Sequence, residues 1–343
     1  MISLRKSAFT LCLCAATSLA GTAAAEDMHL VGSGASFPFP LYSAWLKDFS
    51  KQNPGVTVDY QAKGSGAGIQ DFVNHTVDFA ASDAAMKDEE MAKVAEGTLL
   101  LPMTAGEIVL AYNLPGKPKD LKLTRAAYTG IFAGTITKWN DPAITAANPG
   151  AALPDLPITV VTRSDASGTT FVFTQHLVTL SEAIRKTVGM GTTVQWPKTP
   201  QFVAAPKNDG VTATIKQTPG AIGYIEYGYA KLTKADTASL ENKSGKFVTP
   251  SEASGIAALA SADPKSDDLR VWIPDPEGAD SYPIASFTWM LFYKKQAPEK
   301  AAVLRKLVEY GLTEGQKGAD AMGYIPLPAN IAAKVRAAAA QIQ

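Results

Sequence analysis

Four short segments place glycine, small residues and hydroxyl or acidic side chains just ahead of a hydrophobic stripe with helical spacing. They are Gly32-Ser33-Gly34-Ala35-Ser36-Phe37-Pro38, Gly64-Ser65-Gly66-Ala67-Gly68, Ala81-Ser82-Asp83-Ala84-Ala85 and Arg163-Ser164-Asp165-Ala166-Ser167-Gly168-Thr169-Thr170. Each has the composition of a helix start, where the first N–H groups lack intrahelical partners and the helix dipole is positive. Glycine lets the backbone approach a ligand, and Ser or Thr adds a hydroxyl donor. Several such ends could together hold an oxyanion with little net charge nearby. For any one segment alone, ordinary N-capping is the simpler reading, because the same residue types are favoured there without a ligand. Arg163, four residues before Ser167 in a glycine-containing turn, raises the case for an anion, since a guanidinium offers a planar fork to two oxygens of one group. Asp165 either pairs with Arg163 and orients it or simply forms the turn. The glycines at 64, 66 and 68 are a weak sign of a nucleotide loop, and the chain has no G-x-x-x-x-G-K-[ST] motif.

The elements that must carry these loops follow an α/β pattern. Strand-like runs at Val56–Tyr60, Ile108–Tyr112, Ile158–Val161 and Ile284–Tyr293 alternate with stretches of helical period. Leu41, Trp45 and Phe49, with Tyr42 and Leu46 beside them, predict one helix, and Ile69, Phe72 and Val73 a shorter one. Val303, Leu304, Leu307 and Val308 mark another, and Ala332–Gln343 reads as a final surface helix. The runs Glu107–Leu114 and Tyr282–Tyr293 have the look of crossings between two lobes, the first lobe built from both ends of the chain and the second from its middle. Asp141–Leu156 and Asp263–Ser281 read as long surface loops of the middle lobe. Trp45 and Trp289 belong to apolar stripes and predict core positions, whereas Trp139 and Trp196 are expected to be partly exposed.

Composition narrows the function classes. The 343 residues are 46% apolar, enough for about two domains with sizeable cores. Lys+Arg and Asp+Glu are both 32, so no long-range positive field is available for nucleic acid, and none is expected as a partner. An anion would have to be held by a local, desolvated site. Residues 1–25 carry Arg5 and Lys6, an apolar stretch from about Ala8 to Ala20 and the ending Ala23-Ala24-Ala25, which predicts a secretory signal peptide cleaved after Ala25. Its removal leaves 30 basic and 32 acidic residues and predicts a periplasmic protein. Both cysteines, Cys12 and Cys14, fall in this leader, so the mature chain is expected to lack a disulfide and a thiolate metal site. Leu11 and Leu13 precede them where a lipidation signal prefers a small residue, which argues against a lipid anchor. The longest apolar run of the mature chain, around Ile284–Tyr293, is half the length of a bilayer span. His29, His75 and His176 are not spaced as a metal pair and there is no H-E-x-x-H, so no metal site is expected.

Several longer strings carry a resemblance. GSGASFPFPLYSAW, YQAKGSGAGIQDFVNHTVDFAASDAAM, YTGIFAGTITKWNDPAI, VTRSDASGTTFVF, PGAIGYIEYGYA and the late GYIPLP resemble the periplasmic phosphate-binding proteins of high-affinity phosphate ABC transporters, over nearly the whole mature chain. The resemblance implies the two-lobed periplasmic-binding-protein fold of type II, each lobe a central β-sheet flanked by helices, the lobes joined by two hinge crossings. On that basis residues 26–108 and 288–343 are expected to form lobe I and residues 109–287 lobe II. It implies phosphate ligands at Ser36, the N–H of Phe37, Ser65, Asp83, Arg163, Ser167, the N–H of Gly168 and Thr169, with Asp165 orienting the arginine. Ser36 stands where threonine is also common in the family, which keeps the hydroxyl and loses a methyl contact. Some relatives have disulfides that this mature chain cannot form. The implied partner is the membrane permease of the transporter, the implied state a monomer, and neither a cofactor nor a catalytic residue is expected.

Within that set Asp83 is the element that would choose phosphate. Phosphate at neutral pH carries a proton and sulfate carries none, and an ionised carboxylate can only accept a hydrogen bond. Asp83 would welcome the protonated anion and repel the bare one, a mismatch able to give discrimination of about 10⁴–10⁵. A hydrolase is the rival from another class, although no G-x-S-x-G elbow is present. Sulfate, molybdate or an organic phosphate as ligand, and an adhesive role for the same fold, are the others. A sugar-stacking groove is disfavoured by the core spacing of the aromatic residues.

Overall fold

A computed structural model describes Asp27–Gln343 apart from residues 119, 261 and 265–268. The expected signal peptide, its cleavage point and both cysteines lie outside the described residues. The chain opens as β1 (Met28–Gly34), α1 (Phe39–Gln52), β2 (Val56–Ala62), α2 (Ser65–Val73), β3 (Phe79–Ser82) and, after a short helical turn, β4 (Thr98–Asn113). Leu41, Tyr42, Trp45, Leu46 and Phe49 form the buried face of α1, as their spacing predicts, each contributing about 1.5–3 kcal/mol by leaving water. Pro40 sits in the first turn of that helix, where the N–H it lacks would have had no intrahelical partner.

Among the described residues, one long sheet runs β2, β1, β3, the strand Ala285–Tyr293, β4, then Ala221–Glu226, Thr159–Arg163 and Phe202–Ala205. β2, β1 and β3 are parallel, and so are the last three strands. β4 serves both sets. Its Thr98–Glu107 portion pairs with Ala285–Tyr293, and its Ile108–Asn113 portion with Ala221–Glu226, all antiparallel. Nearly every residue of β4 is buried, as a strand covered on both faces requires. The two runs expected to cross meet here, with Ala285 opposite Glu107 and the Ile108 N–H donating to the Ile284 carbonyl at 2.9 Å.

Pro102 lies inside β4, in the middle of the sheet, where a missing N–H would ordinarily break the ladder. The register shifts beside it: Thr288 faces Thr104 and Trp289 faces Pro102, leaving Met103 as an extra residue. Such a bulge absorbs the proline and turns nearby side chains. The helices Gly168–Leu180 and Lys207–Gln217 follow strands of the second set, and Pro298–Leu312 and Ala329–Ala339 close the chain. The last helix begins three residues earlier than expected and buries Ile331, Val335, Ala338 and Ala339. Trp289 is buried as expected. Trp139, expected to be partly exposed, is fully buried: its indole N–H finds the Gly220 carbonyl at 2.9 Å, which offsets the cost of removing it from water. Trp196 is half-buried among Phe132, Phe173 and Tyr224.

Candidate functional site

Parallel strands bring their carboxyl ends, and the helix starts that follow them, to one edge of each set, the usual position of a ligand crevice in an open α/β sheet. β1 leads into Ala35–Pro38, β2 into Gly64 and Ser65, and β3 into Asp83. Thr159–Arg163 leads into Ser164–Ser167, and Phe202–Ala205 into Pro206–Asn208. Gly64 has φ of +95°, a conformation that glycine adopts without strain, and it lets α2 begin one residue later against the Arg163 loop. A Cβ on Gly64 would meet the Asp165 carboxylate, and the Gly66 N–H donates to the Ala166 carbonyl at 2.9 Å.

Arg163 is the centre of the arrangement, its side chain only 1% exposed. Asp165 grips it with both oxygens, Nε donating to Oδ1 at 2.8 Å and Nη2 to Oδ2 at 2.6 Å. Burial works to raise the Asp165 carboxyl. The hydrogen bond and charge of Arg163, with the Lys207 N–H at 2.9 Å, outweigh it and hold the group below the ordinary carboxylate range. Of the three guanidinium protons not held by Asp165, one on Nη1 reaches Thr169 Oγ1 at 3.2 Å and one on Nη2 reaches Ser36 Oγ at 3.3 Å.

Asn208, which the sequence reading did not single out, ties the same two hydroxyls. Its Nδ2 donates to Ser36 Oγ at 3.0 Å and to Thr169 Oγ1 at 3.2 Å, and its backbone N–H also reaches Ser36 Oγ at 3.2 Å. The Glu226 N–H holds Asn208 Oδ1 at 3.0 Å and so fixes the orientation of its amide. Ser36 Oγ thus faces three donors and Thr169 Oγ1 two. With their lone pairs engaged, the hydroxyl protons of these two residues are left to donate. Pro206-Lys207-Asn208-Asp209-Gly210 is a fifth segment with the grammar of the first four, and that signal could have revealed Asn208.

The other half of the set gathers around Asp83. A Cβ on Gly168 would lie 2.5 Å from Asp83 Oδ2 and closer still to Ser65 Oγ, so only glycine lets this helix start sit against both residues. Ser65 Oγ accepts from the Asp83 N–H at 3.1 Å. Thr288, opposite the bulge in β4, donates to Asp83 Oδ1 at 2.8 Å. It is the second residue missed from the sequence, where it lies inside the apolar run Ile284–Tyr293. Burial pushes the Asp83 carboxyl up to about 7, although the Thr288 hydrogen bond, the Arg163 charge and Ser65 pull the other way. Ser167 Oγ accepts from the Thr170 N–H as an N-cap, which still leaves its own proton to donate. Phe37 is fully buried, its ring edge-on to Tyr324, and the Tyr324 hydroxyl donates to the Phe37 carbonyl at 2.8 Å.

The structure therefore brings Ser36, Arg163, Asp165 and Thr169 into one hydrogen-bond network and sets Gly168 against Ser65 and Asp83. All eight expected ligand residues are buried. Of the histidines, His29 pairs with Asp59 at the surface and His75 lies 3.5 Å from Glu96. His176 is buried between the Tyr128 hydroxyl and the Pro274 carbonyl. Among the described residues no group of three or more His, Cys, Asp or Glu side chains gathers as a metal site would require, and no helix is long and apolar enough to cross a membrane.

The PBP superfamily domain matches residues 19–314. A protein from Pasteurella multocida (strain Pm70) named phosphate-binding protein PstS is 40% identical over 315 residues, covering 91% of this chain and 90% of that protein. One of the same name from Methanocaldococcus jannaschii is 37% identical over 322 residues, covering 88% and 82%. The solved structure of a phosphate-binding protein from Stenotrophomonas maltophilia superposes with a TM-score of 0.74 at 22% identity, over 90% of this chain and 93% of that one, and so shares the fold. On the strength of these matches the chain belongs to the PBP superfamily and, within it, to the family of phosphate-binding proteins named PstS.

Proposed function

We propose that this chain binds inorganic phosphate in the periplasm, between two lobes that close on it, and delivers it to the permease of a membrane ABC importer without changing it chemically. The observation that carries the reading is the buried donor cage around Arg163, in which Ser36 and Thr169 accept from the guanidinium and from Asn208 and keep their own protons for a ligand. Asp165 neutralises the arginine, so the cage holds a tetrahedral oxyanion mainly with oriented dipoles, as helix starts do. Names of the relatives, phosphate-binding protein PstS, point to the same ligand.

The ligand set in this proposal is Ser36, the Phe37 N–H, Ser65, Asp83, Arg163, Ser167, the Gly168 N–H and Thr169, to which Asn208 and Thr288 are added as the groups that orient them. Lobe I comprises residues 26–108 and 288–343, and lobe II residues 109–287. Ser36, Ser65 and Asp83 then face Arg163, Ser167 and Thr169 from opposite lobes. Phosphate that touches both lobes stabilises the closed form by the contacts it lacks in the open one. The mature protein begins after Ala25, acts as a monomer and catalyses nothing.

Ionised Asp83 accepts the phosphate proton and repels sulfate. Calorimetric titration of the mature protein with phosphate and with sulfate at pH 8 tests the reading: heat of binding is expected for phosphate alone. Equal affinity for the two anions, or no binding of either, refutes it. Arg163→Ala, which strands Asp165 and empties the fork, should weaken phosphate binding by about 2–5 kcal/mol.

A further inference from the structure

Three consecutive carbonyls of the loop after β1 each accept a hydrogen bond from a tyrosine hydroxyl. Tyr60 reaches the Ala35 carbonyl at 2.8 Å, Tyr229 the Ser36 carbonyl at 2.6 Å and Tyr324 the Phe37 carbonyl at 2.8 Å. Two of them come from the same part of the sheet as the loop: Tyr60 lies on β2, paired with β1, and Tyr324 pairs with Gly106 on the first portion of β4. Tyr229 comes from across the cleft, on the helix Tyr227–Thr233 that follows the strand Ala221–Glu226. It is separated from Ser36 by 193 positions in the chain.

The Ser36–Phe37 peptide is the one whose N–H the proposed phosphate cage uses. Described peptide bonds are all trans, so a hydroxyl on the Ser36 carbonyl lies on the opposite edge of the plane from the Phe37 N–H. A donor on the carbonyl fixes the tilt of that plane and polarises the N–H opposite it, as successive hydrogen bonds do. The Phe39 N–H also donates to the Ser36 carbonyl, but at 3.2 Å and from within the loop itself. Of the three tyrosine bonds to this loop, the Tyr229 bond is the one that depends on the two sides of the cleft being together.

We infer that Tyr229 is a positioning residue for phosphate binding: its hydroxyl, arriving on the Ser36 carbonyl when the lobes close, sets the Ser36–Phe37 peptide for the anion and latches the closed form. This rests on the proposed binding function. The phenol is a dependable donor, since burial, with the nearby charges of Glu226 and Asp209, pushes it well above the ordinary tyrosine range. Tyr229 is not itself a ligand. Its effect passes through the peptide and through closure, which separates it from Asn208, whose amide meets the cage hydroxyls directly.

The test compares Tyr229→Phe with Tyr60→Phe in the mature protein, because each loses one hydroxyl and keeps its ring. Phosphate affinity is read by calorimetry, release by stopped-flow dissociation, and closure by small-angle scattering with and without phosphate. Tyr229→Phe is expected to bind phosphate about ten- to a hundredfold more weakly, mostly through faster release, and to populate the closed form less. Tyr60→Phe, which acts on the loop from its own side, is expected to leave the balance between open and closed forms unchanged. If the wild type binds phosphate and Tyr229→Phe matches it in affinity and release rate, the positioning role falls alone. Equal loss of closure in the two variants also overturns the latch. A wild type that takes up no phosphate overturns the functional reading and this inference with it.

Discussion

Asp83→Asn tests selectivity and stability in one substitution. In the wild type, burial moves this carboxyl from 3.8 to about 7. The folded state therefore keeps the proton over a range in which the unfolded chain has already lost it. Because the folded pKa is the higher one, stability is lost as pH rises, from the unfolded value near 3.8 up to about 7, and is flat beyond. At about 1.4 kcal/mol per pH unit, a shift of about three units makes the ionised carboxylate cost the ligand-free protein about 4 kcal/mol at pH 8. Asparagine keeps an oxygen for the Thr288 hydroxyl at the same place and never ionises. In phosphate-free buffer the variant should be close to the wild type near pH 4 and more stable by about 2–4 kcal/mol at pH 8, read by urea denaturation across that range. The same variant should lose its preference for phosphate over sulfate, since its amide can donate to an oxygen without a proton. Denaturation midpoints that stay parallel from pH 4 to 8, or a variant that still rejects sulfate at pH 8, would refute the reasoning about this side chain.

Sulfate binding to the wild type should itself depend on pH: absent at pH 8, where Asp83 is ionised, it should appear in calorimetric titrations below about pH 7, as the carboxyl takes up a proton and becomes a donor. Gly168→Ala should fold normally yet lose at least about a hundredfold in phosphate affinity, because the added methyl falls on Ser65 and Asp83 and holds the helix start away from them. Asn208→Ala removes the shared donor of Ser36 and Thr169 and should weaken binding by about 1–3 kcal/mol, checked by the same titration. Glu107, whose Oε1 accepts from Ser254 at 2.7 Å while its Oε2 is buried without a partner, is pushed up from 4.5 to about 8, first of all by burial. Its folded pKa is also raised, so Glu107→Gln should gain on the wild type in urea denaturation by about 1.4 kcal/mol per unit between roughly pH 5 and 8, with no further gain above.

Local order in the chain was enough to single out four candidate loops and Arg163, whereas the full ligand set was implied only by the family resemblance. Each loop is a contiguous string with the composition of a helix start, although only Ser167 caps the helix that follows it, and the Asp83 loop is followed by no helix before Asp88. The stripe on α1 and the Arg163–Asp165 pair were legible for the same reason, since their partners lie within a few positions. Trp139 was misjudged because its place in a loop says nothing of the Gly220 carbonyl, 81 positions away, that lets it be buried. β4 was seen only in its second half, as the strand-like run Ile108–Tyr112 within the crossing Glu107–Leu114. Its earlier half contains Pro102, and a central strand tolerates that residue only with the bulge opposite Thr288, which sequence does not display.

The sequence by itself determined an α/β chain of near-zero net charge, led by an expected export signal, with helix starts able to hold an anion and an arginine to anchor it. Only the tertiary structure decided which of those starts meet, and with what company. Ser36 joins Arg163 across 127 positions, Asp83 receives Thr288 across 205, and Asn208 and Tyr229 reach Ser36 across 172 and 193. The physical reason is that capping is a local property of the backbone, whereas the direction in which a hydroxyl donates, and whether a carboxyl keeps its proton, depend on neighbours brought together by the path of the sheet.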